Sequence, residues 1–154
     1  MDTAILLPGL DGTGELFGPF VNAARAYIQT VVVEYPVDED SMDALEQHAR
    51  SKLVNRCIVI AESFSGPIGV RLAADPRVRA LVLCNSFVTS PFAPSLRHFA
   101  VAPLFAIPFP KFALRSALLG RYASPDLLEI ARRAIARVPA HVIAKKSSGS
   151  VANR

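Results

Sequence analysis

Apolar and polar positions form two kinds of pattern along the first 88 residues. Short apolar runs predict buried strands, and apolar side chains three or four positions apart predict helices. The strands predicted in this way are Thr3–Leu7, Thr30–Val33, Cys57–Ile60 and Val78–Cys84. The helices predicted between them are Glu15–Tyr27, a helix from the N-cap Ser41 to Leu53, and Gly66–Ala74.

The regular succession of strand and helix predicts an α/β fold. Strands that are apolar almost throughout are typical of a parallel sheet covered by helices on both faces, which is a three-layer α/β/α arrangement. Right-handed crossovers between parallel strands restrict the topology further. We therefore expect residues 1–90 to form an α/β core around a mainly parallel sheet.

The pattern changes after Phe87. Residues 91–144 contain prolines at intervals among Phe, Leu and Ala, which predicts short helices separated by turns, here interpreted as a helical cap. Within this region Ser124-Pro125-Asp126 has an N-cap residue, a proline at the first helical position and an acid in the first turn, and it predicts the start of a helix. The polar residues 145–154 are expected to form a disordered tail.

The composition is that of a single folded domain. Of 154 residues, 51% are hydrophobic and 19% charged, which allows a sizeable core and argues against an intrinsically disordered chain. No apolar run reaches the ~18–20 residues of a membrane span, and the N-terminus lacks a signal-peptide pattern. Cys57 and Cys84 lie in apolar runs and are expected to be free thiols. The expected location is the cytoplasm.

The net charge of +4 is unevenly distributed. Residues 1–75 carry 11 acidic and 5 basic side chains, whereas residues 76–154 carry 2 acidic and 12 basic ones. A basic second half can favour a membrane surface or nucleic acid. Its arginines are spread singly, however, without the interleaved aromatics of single-strand binders, so no nucleic-acid partner is expected. The three histidines stand apart from one another and from the cysteines, and no metal site is predicted.

Two loops carry the candidate chemistry. Pro8–Gly14 follows the first predicted strand, and Ala61–Gly66 follows the third. If the strand order reverses between these two strands, both loops reach the crevice at the carboxyl end of the sheet. The first loop has the glycine spacing G-x-x-G-x-G, which is neither a dinucleotide fingerprint nor a Walker loop. Asp11 would also repel a phosphate, so an oxyanion-hole loop fits better than a phosphate cradle.

The second loop fits the nucleophile elbow, in which a serine at the tip of a strand is flanked two positions away by small residues. Ala61 and Ser65 replace the usual glycines and keep those positions small. The alternative is that Ser63 merely caps the following helix. As a nucleophile, Ser63 would use the backbone N–H groups of Leu10 and Phe64 as its oxyanion hole.

These two loops together resemble the esterase/thioesterase branch of the α/β-hydrolases. Leu7–Gly14 and Ala61–Gly66 are similar to the corresponding loops of bacterial lysophospholipase-like hydrolases and plant phytyl ester synthases, and the resemblance covers roughly residues 3–90. It implies a serine hydrolase that acts on carboxylic esters through an acyl-enzyme at Ser63. It implies no metal or organic cofactor, and it places a cap after the strand that ends at Cys84.

The second half departs from this family. Family members continue with two further strands that supply an acid and then a histidine. This chain stops before either, so the resemblance implies a C-terminally truncated member. His98 is the provisional general base, with a solvent-facing cap histidine as the alternative interpretation. His141 and Asp126 are less favoured, the latter because it fits the first turn of a helix, and His48 lies on a helix remote from both loops.

The same truncation predicts a partner and leaves a rival function open. Without a neighbouring strand, Val78–Cys84 would present an apolar edge, which we expect a second copy of the chain to cover in a homodimer. A short cap rich in phenylalanine predicts a limited apolar pocket and therefore short-chain ester substrates. The rival function is a non-catalytic or weakly active remnant that serves as a binding or oligomerisation module.

Overall fold

The structure, a computed structural model, describes residues 2–39 and 41–88, together with Ser124, Pro125, Glu129 and Arg133. Apart from these four, the predicted cap (91–144) and tail (145–154) lie outside the described residues, as do His98, His141 and Asp126. The strands are β1 (Thr3–Leu7), β2 (Gln29–Val32), β3 (Cys57–Glu62) and β4 (Val78–Cys84). The helices are α1 (Gly18–Ala24), α2 (Met42–Ser51) and α3 (Gly66–Leu72), and 3₁₀ turns at Glu15–Phe17 and Ser63–Ser65 precede α1 and α3.

The four strands form one parallel sheet in the order β2-β1-β3-β4. The chain therefore adds β2 on one side of β1 and then returns to add β3 on the other side, so the strand order reverses between β1 and β3. Leu7, the last residue of β1, pairs with Ala61 near the end of β3. This register confirms the α/β prediction, and it brings the loops after β1 and β3 to the same edge of the sheet.

Helices cover both faces of the sheet. Alternate residues of β1 point to opposite faces, and all five are buried. Ala4 and Leu6 pack with Phe17, just before α1, on one face. Ile5 and Leu7 belong to a larger cluster on the other face, which α2 and α3 cover. The three-layer α/β/α arrangement is therefore confirmed.

Several element boundaries differ from the sequence prediction: β2 begins and ends one residue earlier, α2 and α3 each end two residues earlier, and α1 and β3 also differ. The helix predicted over Glu15–Tyr27 is a 3₁₀ turn followed by the shorter α1, because Pro19 at the start of α1 has no N–H to continue a hydrogen-bond ladder from the preceding turn. β3 extends two residues beyond its predicted end, to Glu62. The N-cap prediction for α2 is confirmed, since Ser41 Oγ accepts a hydrogen bond from the N–H of Ala44 at 3.3 Å.

β4 differs from the other strands in its exposure. It lies at the end of the strand order, and its apolar side chains are partly open to solvent, with Val82 44% and Leu83 37% exposed. By contrast, Cys57, Val59 and Ala61 of β3 are fully buried. Of the helices in the part of the chain that the structure describes, none is both long and apolar enough to cross a membrane.

Candidate active site

The loop after β1 and the turn after β3 meet at the carboxyl end of the sheet. We call residues 8–14 the glycine loop and residues 61–66 the elbow. A Cβ placed on Gly9 would lie 3.8 Å from the Cβ of Ser63 and 3.7 Å from the Cδ of Glu62. These are ordinary van der Waals distances, so the loop backbone at Gly9 lies directly against Ser63 and Glu62. The sequence prediction that these two loops share one crevice agrees with this geometry.

Ser63 occupies a backbone conformation that L-residues rarely adopt. It directly follows β3, its φ is 46°, and its side chain is half-buried. A positive φ costs a serine about 1–2 kcal/mol, so the turn is strained. The N-cap of the 3₁₀ turn is Glu62 and that of α3 is Ser65, so Ser63 occupies neither capping position. The geometry is that expected of a nucleophile elbow.

The strain at Ser63 is held by close packing around the start of α3. A Cβ on Gly66 would lie 2.1 Å from the Oγ of Ser86 and 2.3 Å from the carbonyl oxygen of Phe87, so no larger residue fits there. The Ser86 hydroxyl in turn donates a hydrogen bond to the Ser63 carbonyl oxygen. Ser86 and Phe87, which follow β4, thus hold the elbow in place by packing and by a hydrogen bond.

The glycine loop reaches its shape without comparable strain. Positive φ values occur at Gly12 (73°) and Gly14 (71°), where glycine adopts them readily. The Asp11 carboxylate accepts from both the N–H of Thr13, at 3.0 Å, and the Thr13 hydroxyl. The N–H of Gly12 donates to the carbonyl of Gly9 at 3.1 Å. The Asp11 carboxylate therefore stabilises the glycine loop through hydrogen bonds within the loop itself.

The two predicted oxyanion-hole amides belong to the residues that directly follow Gly9 and Ser63. Leu10 follows Gly9 in the glycine loop, and Phe64 follows Ser63 in the first turn of a helical segment, where N–H groups have no intrahelical acceptor. Among the described residues, neither N–H donates to a backbone acceptor in a loop or turn. Phe64 is buried and Leu10 is half-buried.

A buried polar contact that the sequence did not predict joins the elbow to the glycine loop. Ser65 is fully buried, and its hydroxyl donates to the carbonyl oxygen of Pro8. Tyr35 is only 5% exposed, and its hydroxyl lies 2.8 Å from the Ser65 Oγ. Burial raises the pKa of Tyr35 well above its ordinary value, and the hydrogen bond with Ser65 opposes that rise only in part.

Glu62 is the titratable group adjoining Ser63 in the chain. Burial, and secondly the nearby Asp11 carboxylate, raise the pKa of Glu62 to about 7, whereas the N–H of Gly9 donates to its carboxylate and opposes the shift. Cys84 pairs with Glu62 across β3 and β4. Burial chiefly, and secondly the negative charge of Glu62, raise the pKa of the Cys84 thiol. Glu62 thus changes charge near neutral pH.

Other predicted residues stand away from this crevice. His48 lies in the last turn of α2, and β3 begins a few residues later, so this end of α2 is at the amino edge of the sheet, opposite the loops. Cys57 is a buried free thiol, as predicted, and Cys84 is free but only half-buried. Within residues 2–39 and 41–88, no group of three or more His, Cys, Asp or Glu side chains is arranged to hold a metal ion.

Comparisons with known proteins identify the fold. No protein-family model matches the chain, and no curated protein matches its sequence. Among solved structures it is similar to a hydrolase from Oleispira antarctica (TM-score 0.70, 12% identity), to the N-formylmaleamic acid deformylase of Pseudomonas putida (0.68, 16%) and to a hydrolase from Pseudomonas aeruginosa (0.66, 18%). The matches cover 96–97% of this chain but only 63–65% of those three chains.

These matches show that the chain has the α/β-hydrolase fold. At 12–18% identity they show the fold alone. The chain spans less than two thirds of the length of these structures. The fold expected from the loop resemblance is therefore confirmed, and the assignment of activity rests on the site.

Proposed function

We propose that the chain is a serine hydrolase that acts on carboxylic esters through an acyl-enzyme at Ser63. The observation that carries the proposal is the strained backbone of Ser63, with φ at 46° between β3 and α3, facing the glycine loop at Gly9. Strain of this size persists only where the surrounding structure holds it, and such residues cluster at active sites. The fold of the similar hydrolase structures is consistent with this chemistry.

In the proposed reaction the Ser63 Oγ forms a bond to the acyl carbon and gives its proton to a base. The carbonyl electron pair moves to the oxygen, where the N–H groups of Leu10 and Phe64 donate to it. Collapse of this intermediate breaks the bond to the alcohol, which leaves with the proton. Water then attacks the acyl-enzyme in the same way and releases the acid.

His98 is the proposed base, as the sequence indicates. It lies outside the described residues, and the one histidine within them, His48, lies at the opposite end of the sheet. His98→Ala should therefore lower kcat by about 10³-fold or more, because a serine without its base is a weak nucleophile. His141→Ala is the matched control and should leave kcat nearly unchanged. If only His141→Ala is inactive, the base is His141.

Turnover of a p-nitrophenyl ester tests the proposal as a whole. Wild-type protein should release p-nitrophenol with saturation kinetics, and Ser63→Ala should lose at least about 10³-fold in kcat/KM. Ser51→Ala, at an exposed serine in α2, is the matched control and should keep full activity. No turnover by wild type, or equal turnover by Ser63→Ala, would reject the hydrolase in favour of a non-catalytic binding or oligomerisation module.

We further propose a preference for short acyl chains. The support is the sequence of residues 91–144, whose phenylalanines would narrow an apolar pocket. Rates on p-nitrophenyl acetate, butyrate, octanoate and palmitate should fall beyond the butyrate. A maximum at octanoate or palmitate would replace the limited pocket with an open groove.

We also propose that the protein is a homodimer. The support is β4, which lies at one end of the sheet formed by the described strands, with Val82 and Leu83 partly exposed. An apolar sheet edge of this kind readily pairs with another chain. Light scattering should give about twice the 16.6 kDa mass of the chain at micromolar concentration. A mass that stays at that of one chain would contradict the dimer.

A further inference from the structure

We propose that Ser65 and Tyr35 are positioning residues, which hold the glycine loop against the elbow through a buried hydrogen-bond relay and so fix the orientation of the Leu10 N–H. The inference rests on the proposed function, because it gives Leu10 its part in the oxyanion hole. The relay runs from the Tyr35 hydroxyl to Ser65 Oγ and on to the Pro8 carbonyl oxygen.

The direction of the relay follows from the number of protons in it. The Pro8 carbonyl only accepts, so the Ser65 hydroxyl must donate its single proton there. The contact of 2.8 Å between Ser65 Oγ and the Tyr35 hydroxyl therefore needs the proton of Tyr35. The burial that raises the pKa of Tyr35 keeps this phenol protonated. The Tyr35 hydroxyl thus donates to Ser65 Oγ, and the Ser65 hydroxyl donates to the Pro8 carbonyl of the glycine loop.

Tyr35 holds the glycine loop at two points. Its side chain acts through Ser65 on Pro8, and its own N–H donates to the carbonyl of Gly12 at 2.8 Å. Pro8 and Gly12 bracket the three residues Gly9–Asp11. The Leu10 N–H therefore lies between two anchored positions on a stretch of backbone that glycine would otherwise leave free to move.

The relay also explains why a serine, Ser65, stands two positions after Ser63. The elbow pattern requires only a small residue two positions after the serine, and glycine is usual there. Ser65 satisfies the size limit and adds a hydroxyl, which is fully buried and points at the neighbouring loop. Placing a buried hydroxyl costs free energy unless it is hydrogen-bonded. Here it makes two hydrogen bonds, both of which lead away from its own helix.

The expected consequence is a loss of catalytic rate without a comparable loss of binding. Oxyanion donors act on charge that develops in the transition state, so their displacement lowers kcat and leaves KM nearly unchanged. Ser65→Ala should lower kcat by about 10- to 100-fold, below the ~10²–10³-fold effect of deleting a donor outright. Tyr35→Phe should lower it less, about 3- to 10-fold, because Ser65 still reaches Pro8.

Two measurements test the relay. The first is the measurement of kcat and KM at a temperature well below the melting temperature of each variant. The concentration of active sites is determined by titration with a fluorophosphonate, so that misfolded protein is not counted. The controls are Tyr27→Phe, at a tyrosine that is 80% exposed, and Ser51→Ala, whose hydroxyl bonds within α2. The double variant Ser65→Ala/Tyr35→Phe should be no slower than Ser65→Ala, since Tyr35 acts through Ser65. Unchanged kcat in both single variants would overturn the proposal.

The second measurement does not depend on activity. Amide hydrogen exchange followed by mass spectrometry should show faster exchange in peptides covering Gly9–Asp11 for Ser65→Ala and Tyr35→Phe, but not for the two controls. Unchanged exchange there would overturn the relay even if wild-type protein proved inactive. Faster exchange with an inactive wild type would support the relay as a structural tie and reject the proposed function instead.

Discussion

The glycine loop and the elbow meet at one point but are held there in different ways. The glycine loop puts its positive φ values on Gly12 and Gly14, where they cost little, and hydrogen bonds from Tyr35 and Ser65 anchor it. The elbow puts its positive φ on Ser63 and is held by close packing. The glycine loop is therefore unstrained and tied by hydrogen bonds, whereas the elbow is strained and held by close packing together with the Ser86 hydrogen bond to the Ser63 carbonyl oxygen.

This difference determines what each region tolerates. A loop tied by hydrogen bonds moves when a donor is deleted, and a small side-chain change far from the reacting atoms is enough. A packed turn fails when a single methyl group is added at its closest contact. The comparison therefore predicts that loss of the Ser65 or Tyr35 hydroxyl acts on the glycine loop, whereas added bulk at Gly66 acts on the elbow.

The largest effect on stability is expected at Gly66. Its Cβ position overlaps the Oγ of Ser86 and, more seriously, the backbone carbonyl of Phe87, which cannot rotate away. Gly66→Ala should lower the free energy of unfolding by about 2–3 kcal/mol, measured by urea denaturation. Gly18→Ala is the control, since nothing lies within 4 Å of its Cβ position, and it should change stability by less than about 1 kcal/mol. Equal stability of the two variants would contradict the steric lock.

A smaller effect is expected from Glu62, an elbow residue whose carboxylate faces the glycine loop. Its pKa is raised to about 7 from an ordinary value near 4.5, so the folded state holds its proton more tightly than the unfolded state does. The stabilisation is complete below pH 4.5 and is lost as the pH rises to 7. Glu62→Gln should match wild type near pH 4 and exceed it by about 2 kcal/mol at pH 8. A pH-independent difference between the two proteins would contradict the buried carboxyl.

The smallest effect is expected from the strain at Ser63 itself. Because its φ is 46°, glycine fits this position better than alanine does, and Ser63→Gly should be more stable than Ser63→Ala by about 1 kcal/mol. At Ser51, the last residue of α2, the backbone is helical and the same pair should show the reverse order, with alanine more stable by up to about 0.5 kcal/mol. If alanine were more stable than glycine at both positions, the elbow would be unstrained.

The sequence predicted the sheet well because its strands carry strong signals. Four apolar runs in a regular order specified the parallel sheet, and β4 was predicted with both of its ends correct. Ser41, as a typical N-cap residue, correctly predicted the start of α2. The continuous helix over Glu15–Tyr27 was wrong, because apolar spacing alone does not register the interruption at Pro19.

The site could be predicted only where a functional residue belongs to a motif with a fixed spacing along the chain. The spacing of the elbow located Ser63, and the order of the strands brought Gly9 to it. The Tyr35–Ser65–Pro8 contact was missed because it joins residues 30 and 57 positions apart, and no local pattern records such a contact. The raised pKa of Glu62 was missed for the same reason, since it depends on burial and on Asp11 across the crevice.

The most direct test of the central claim is the covalent reactivity of Ser63. Wild-type protein treated with a fluorophosphonate should gain the mass of one adduct per chain, and peptide mapping should place it on Ser63. The adduct should be absent from Ser63→Ala and present in Ser51→Ala. No adduct on wild-type protein, or an adduct confined to another serine, would contradict the assignment of Ser63 as the nucleophile.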